Sequence, residues 1–306
     1  MTAARSPEAV SGFLVVDKPA GITSHQVVAR ARRALGTKKI GHAGTLDPMA
    51  TGLLLLGVGA GTRLLGHLAL ADKTYEATIR LGVATVTDDA EGAVTAAPGA
   101  SGLDLDALPG AVAGLTGDID QVPSAMSAIK VDGRRAYALV RGGEDVALRA
   151  RPVTVSRFQI LAVRRGEADG VAVVDVDVVV DCSTGTYVRA LARDLGAALG
   201  VGGHLTSLRR TRVGGFTLAD ATWSAPPPDA AGAAAAPALL GLADLARRSF
   251  PCLDVDAAAA RDVGYGRPLS LPVPADPTAV LHGGRLLALY RPAGNGSVPV
   301  AVLAPA

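Results

Sequence analysis

The chain has 306 residues, of which 49% are hydrophobic, so it can bury a sizeable core as one large domain or as a main domain with a small second one. A formal net charge of +2 excludes a uniformly basic or acidic polyelectrolyte, and no apolar run reaches membrane-spanning length. Aromatic residues make up only 3%, so each Tyr, Phe or Trp carries information.

MTAARSPEAV lacks the apolar stretch of a signal peptide, and the expectation is a cytoplasmic protein with no membrane partner. GFLVVDKPAG (12–21) reads as a short strand broken at Lys-Pro-Ala-Gly. TSHQVVARARRAL (23–35) reads as a helix, with Ser24 as a candidate cap and Val27, Val28, Ala31 and Leu35 on one face. GHAGTLDPMATG (41–52) reads as loop, although Asp47 before Pro48 also fits a helix N-cap. LLLLGVG (53–59) suits a buried strand, and GTRLLGHLALA (61–71) a short helix. YEATIRL (75–81) alternates as a half-buried strand should. Helices are expected over 105–117 and 134–143. PVTVSRFQILAV (152–163) and GVAVVDVDVVVDC (170–182) are strong β runs, the second alternating Val with Asp. A helix follows within 184–199, and HLTSLRRTRVGGF (204–216) reads as a closing strand. SAPPPDAAGAAAAPA (224–238) reads as a linker, and the tail from about Phe250 as a small β module. The class is α+β: a mixed, mainly antiparallel sheet flanked by helices, with a small C-terminal β domain.

Charge is unevenly spread. RARRALGTKK (30–39) carries five cations, namely Arg30, Arg32, Arg33, Lys38 and Lys39, and no acid. SLRRTR (207–212) adds Arg209, Arg210 and Arg212, while acids gather in TDDAEG (87–92) and LDLD (103–106). Segregated basic patches fit a polyanion such as nucleic acid, although one such patch alone is as readily a solvated helix face.

Several chemistries are excluded by absence of their motifs. The five His residues are scattered and form no HExxH or Cys/His cluster, so no metal site is expected. Cys182 and Cys252 make no CxxC. No complete phosphate loop and no GxSxG elbow occurs. What remains is Asp47, a lone carboxylate set among glycines. A lone carboxylate can attack or stabilise an electron-poor sugar carbon if it is held in place and kept ionised by a cation. Arg189 is a candidate for that cation, Tyr187 lies two residues before it, and Tyr75 could stack on a base. By pattern alone, Arg189 also reads as an ordinary ion-pairing arginine, the tyrosines as packing residues and His42 as a structural hydrogen bonder.

The order and spacing of GFLVVDKPAGITSH, GHAGTLDPMATGLLLLGVGAGTRL, KTYEATIRLG, TVTDDAEG, SAIKVDGRRAY, DCSTGTYVRALARDLG and HLTSLRR resemble the TruB family of tRNA pseudouridine synthases over roughly residues 12–220. The resemblance implies the pseudouridine synthase fold and a stand-alone isomerase that converts uridine 55 of the tRNA T-loop without metal or cofactor. It implies Asp47 as the catalytic aspartate, Arg189 as its partner, Tyr75 as the ring stacked on the target base and His42 as an RNA contact near the flipped base. Tyr187 and Leu208 match further pocket residues, and Lys18 with Pro19 matches a pair that shapes the site from beneath. Arg30, Arg32, Arg33, Lys38, Lys39, Arg209 and Arg210 are the expected backbone contacts. Residues of about 124–151 match an RNA-clamping insertion, although the chain reads VPSAMSAIK (122–130) where the family often has Pro-Pro and a Tyr. The expected organisation is a terminal stretch 1–11, a catalytic domain 12–223, a linker 224–238 and a PUA-like RNA-binding module 239–306. The expected partner is the tRNA T-arm, bound by a monomer with no obligate protein partner. The rival expectations are a non-catalytic tRNA-binding or folding protein, a guide-RNA-dependent synthase of the dyskerin type, and, further off, a nucleoside hydrolase.

Overall fold

The computed structural model describes residues 10–125, 130–131, 134–135, 148–225 and 237–304. The packing of Cα atoms divides the chain into two units, Met1–Ala71 with Val213–Ala306, and Asp72–Arg212.

The first unit begins with β1 (Gly12–Lys18), whose Phe13–Val16 run is buried. Lys-Pro-Ala-Gly then turns the chain, with Gly21 at φ 79. The helix α1 (Ser24–Leu35) is capped by Thr23 rather than Ser24. The Thr23 hydroxyl accepts the Gln26 N–H while the Gln26 side chain accepts the Thr23 N–H, a reciprocal pair that satisfies two otherwise orphaned donors. Val27, Val28 and Ala31 face the core, and Gly36 closes the helix at φ 62. β2 (Ile40–Ala43) and β1 both run antiparallel to β3 (Thr51–Val58). All four leucines of β3, Leu53–Leu56, are fully buried, which is why that stretch reads as a continuous apolar run and not as an alternation. A 3-10 turn over 59–64 precedes α2 (Leu65–Ala69), shorter than the helix expected there.

The second unit opens with β4 (Lys73–Leu81) and a small hairpin of β5 (Ala84–Thr85) and β6 (Val94–Ala96). α3 (Leu108–Ala113) and β7 (Gly117–Gln121) follow, then the two-residue strands β8 (Lys130–Val131) and β9 (Arg134–Arg135). The helix expected over 134–143 therefore begins as strand at Arg134, and its remainder lies outside the described residues. β10 (Arg151–Ala168) and β11 (Val171–Cys182) form a long antiparallel pair turning at Asp169 and Gly170, both at positive φ. α4 (Val188–Ala198) and β12 (Gly203–Val213) complete the unit, and the strand order is β12-β4-β11-β10-β7. A Cβ on Gly196 would lie 2.2 Å from the backbone of Gly202 and Gly203, so α4 can press against the start of β12 only through a glycine.

The Val/Asp alternation of β11 separates two faces. Val174, Val176, Val178 and Val180 are fully buried. On the other face Asp175 pairs with Arg80 at 2.8 Å, Asp177 with Arg164 and Asp181 with Arg157 at 2.8 Å.

The chain then returns to the first unit. β13 (Phe216–Thr217) leads to β14 (Trp223–Ser224), which lies parallel to β1. The linker expected over 224–238 falls largely outside the described residues. Beyond it come α5 (Leu242–Ser249), β15 (Cys252–Asp254), α6 (Ala257–Gly264), β16 (Thr278–His282), β17 (Arg285–Ala293) and β18 (Gly296–Val302). The last four strands form their own sheet in the order β15-β16-β17-β18. One apolar core joins Phe13, Val15, Leu53 and Leu55 to Leu245, Leu281, Leu286, Leu289 and Leu303. No helix among the described residues is long and apolar enough to cross a membrane.

Candidate active site

In the first unit, Asp47 is half-buried on the loop between β2 and β3. No helix follows Pro48, so Asp47 is not an N-cap; its carbonyl instead accepts the Ala50 N–H at 3.2 Å. The loop is pinned on two sides. Beneath it, the Lys18 ammonium is fully buried and donates to the carbonyls of Ile22 (2.7 Å), Pro19 (2.9 Å) and Pro48 (3.2 Å). The Gly21 N–H donates to the same Pro48 carbonyl at 2.9 Å. A buried ammonium is tolerated only when its donors are used, and here it fastens the Lys-Pro-Ala-Gly turn to the residue after Asp47. On the other side, the buried Ser24 hydroxyl accepts the Leu46 N–H at 2.9 Å and donates to the Leu46 carbonyl at 3.1 Å. Ser24 is thus a loop anchor that sequence pattern assigned to capping. His42 sits on β2 opposite Leu56, and its ring meets that of His25 edge to face.

In the second unit, Tyr75 lies on β4 opposite Val180 and is 8% exposed. Leu208 is buried on β12, the strand that neighbours β4. Tyr187 occupies the N-cap position of α4 in extended conformation, φ −104 and ψ 105. Its backbone is gripped by the buried Gln121 side chain, which accepts the Tyr187 N–H at 2.8 Å and donates to the Tyr187 carbonyl at 3.2 Å. Arg189, in the first turn of α4, is 5% exposed. It donates to the Thr87 carbonyl at 2.9 Å and pairs with the buried Asp89 carboxylate at 3.4 Å. Asp89 is itself held by the Thr87 hydroxyl and the Glu91 N–H. Its neighbour Asp88 has φ 59, and burial pushes the Asp88 carboxyl above its usual range. Asp89 and Gln121 had no individual signal in the sequence beyond their places in TDDAEG and QVPSA; their roles arise from contacts distant in the chain.

Lys73, two residues before Tyr75 on the same strand, is buried, and burial first and Arg210 second bring its ammonium down to about 8. Of the cations expected at RNA backbone, Arg32, Arg33, Lys38 and Lys39 are exposed, and Arg30 and Arg209 are half-buried. Arg210 is 1% exposed and is therefore no surface cation. Among the described residues no cluster of His, Cys, Asp and Glu could hold a metal ion.

Residues 32–188 match the TruB family pseudouridylate synthase N-terminal domain, 189–225 the tRNA pseudouridylate synthase B C-terminal domain, and 250–304 the C-terminal domain of tRNA pseudouridine synthase II. The chain belongs to the TruB family. It is 60% identical to a tRNA pseudouridine synthase B of Cutibacterium acnes, over 92% of this chain and 93% of that one. It is 54% identical to the protein of the same description in Rhodococcus jostii, over 97% and 95%. Among solved structures, a Cbf5-Nop10-Gar1 complex matches with TM-score 0.68 and 25% identity, covering 96% of this chain and 85% of that one. An H/ACA RNP bound to a substrate RNA containing 2′-deoxyuridine shares the fold at TM-score 0.67, with 24% identity and coverages of 96% and 85%.

Proposed function

We propose that this chain is a tRNA pseudouridine synthase that isomerises uridine 55 of the T-loop, acting in the cytoplasm as a monomer without guide RNA, metal or redox cofactor. The observation that carries the reading is Asp47, presented on a loop clamped by Lys18 and Ser24 within the segment that matches the family's N-terminal domain. The reaction breaks the bond from ribose C1′ to uracil N1, turns the base, bonds C5 to C1′ and exchanges the C5 proton. Atoms and electrons balance without a co-reactant.

The target base leaves its stack first, at a cost of a few kcal/mol. Stacking on Tyr75 offsets part of that cost, and His42 takes up vacated space. Asp47 acts at the sugar, as nucleophile at C1′ or as base at C2′, and Arg189 is a further catalytic residue of this reading. Leu208 and Tyr187 shape the uracil pocket. Exposed Arg32, Arg33, Lys38 and Lys39 grip phosphates, so affinity falls with salt. The sheet of Cys252–Val302 serves as an RNA-binding module. The RNA-clamping insertion expected over about 124–151 lies largely outside the described residues.

Likeness to the Cbf5 complexes is what favours a guide-dependent alternative, and the 60% identity to a named tRNA enzyme outweighs it. The test is tritium release from a tRNA transcript carrying 5-tritiated uridine, with purified protein, EDTA and no cofactor. Release by wild type and none by Asp47→Asn is expected, and a T-loop point mutant of the tRNA should abolish it. Tight tRNA binding without release would remove the stand-alone enzyme.

A further inference from the structure

The first turn of α1 touches the chain leading into Asp47 at two places, Leu46 and His42. Ser24 holds Leu46 through two backbone hydrogen bonds. The next residue, His25, lies with its ring centroid 5.3 Å from that of His42, the planes 85° apart. That is the edge-to-face geometry in which aromatic rings attract through their quadrupoles. The arrangement is local to one unit and well braced. α1 is fixed by its capping box and by buried Val27, Val28 and Ala31, and β2 by its ladder with β3. His25 is otherwise exposed and belongs to neither the helix's apolar stripe nor its cap.

We infer that His25 is a positioning residue, setting the imidazole of His42 at the angle it needs to enter the space left by the flipped base. The inference rests on the proposed synthase activity for its consequence, but not for the contact itself. His25 acts through His42, so removing it costs most when His42 is present. The side chain needs only a ring edge or face at that place, so another planar ring should serve.

The experiment uses the full chain with tRNA transcript and four variants: His25→Ala, His25→Phe, His42→Ala and the double alanine variant. His25→Ala should lower the single-turnover rate roughly three- to tenfold, the range of one lost ring pair, with the Kd for tRNA changed less than about twofold. His25→Phe should recover to within about twofold of wild type, and adding His25→Ala to His42→Ala should cost nothing further. Equal loss in both backgrounds would overturn the inference, because His25 would then meet RNA by itself. No loss, or a fall in thermal midpoint that His25→Phe does not repair, would overturn it too. The contact has a readout free of catalysis: the ring-proton NMR shifts of His42 should move in His25→Ala, and unchanged shifts would sink the contact. A wild-type protein that releases no tritium would instead strike the synthase reading, leaving those shifts to decide the contact.

Discussion

Asp89 carries more of the candidate site than its place in an acidic turn suggests. It and Arg189 are paired with side chains 4% and 6% exposed, so each charge depends on the other for the solvation it has lost. Asp89→Ala is expected to cost about 3 kcal/mol, the low end for breaking a buried pair, since Arg189 keeps the Thr87 carbonyl. Urea denaturation measures that, and an Asp89→Ala protein as stable as wild type would show that the pair does not brace the start of α4. Lys18 makes the companion case. Lys18→Met leaves the carbonyls of Pro19 and Ile22 without this donor, while Pro48 keeps the Gly21 N–H. A loss of about 2–4 kcal/mol is expected, read as a lower thermal midpoint, together with slower turnover from a loosened Asp47 loop. A Lys18→Met protein as stable as wild type would show that the ammonium does not brace the loop.

At the scale of elements, the turn from β13 into the 3-10 segment Leu218–Asp220 is tied to α5 by Arg248, which pairs with Asp220 at 2.8 Å and lies 4.2 Å over the Phe216 ring. The Arg248 hydrogen bonds, with the Thr217 N–H second, bring the Asp220 carboxyl down to about 2. A carboxyl whose folded value is depressed stabilises the fold above its unfolded value, and that stability is lost as pH falls through the folded one. Both partners are partly exposed, at 35% and 26%, so solvent screening reduces the effect to about 1 kcal/mol. Asp220→Asn should therefore be less stable than wild type by that amount at pH 7, with the gap closing between about pH 4 and pH 2 in urea melts. A constant gap across that range would mean the charge is not its source. The same scale shows why some elements were legible and others not. β3, β4, β10 and β11 announce themselves by apolar runs or strict alternation. α5 and α6 do not, because LADLARRS is short and AAAARDVG offers little apolar contrast for a period to show. Thr23 and Ser24 both suit a cap, and the choice between them was made by Leu46, twenty-two positions further along than Ser24.

For the whole molecule, the C-terminal segment is part of the first unit's core. Leu281, Leu286, Leu289 and Leu303 bury themselves in the core that also holds Phe13, Val15, Leu53 and Leu55. Four buried leucines supply about 6–12 kcal/mol, comparable with the net stability of an ordinary domain. A chain ending at residue 249 is thus expected to lose the cooperative melting of its first unit and to aggregate, and not merely to bind tRNA more weakly. Circular dichroism melts of full-length and shortened chains make the comparison. A soluble shortened chain with an unchanged midpoint would show that the β1–β3 region stands alone.

What the sequence by itself determined is the family and the pieces of the fold. The motif around Asp47, the Tyr-x-Arg of 187–189, the strands and the first helix could all be read along the chain, because turn chemistry, period and motif spacing are local properties. The tertiary structure alone decided the supports. Lys18 reaches Pro48, Gln121 grips Tyr187, Asp89 meets Arg189 and His25 faces His42 only once the backbone has folded. It alone also buried Arg210 in a stretch that reads as a basic surface patch. Burial and hydrogen-bond partnership depend on which distant segments share a sheet or a core, and single residues of ordinary type leave no periodic trace of that in sequence.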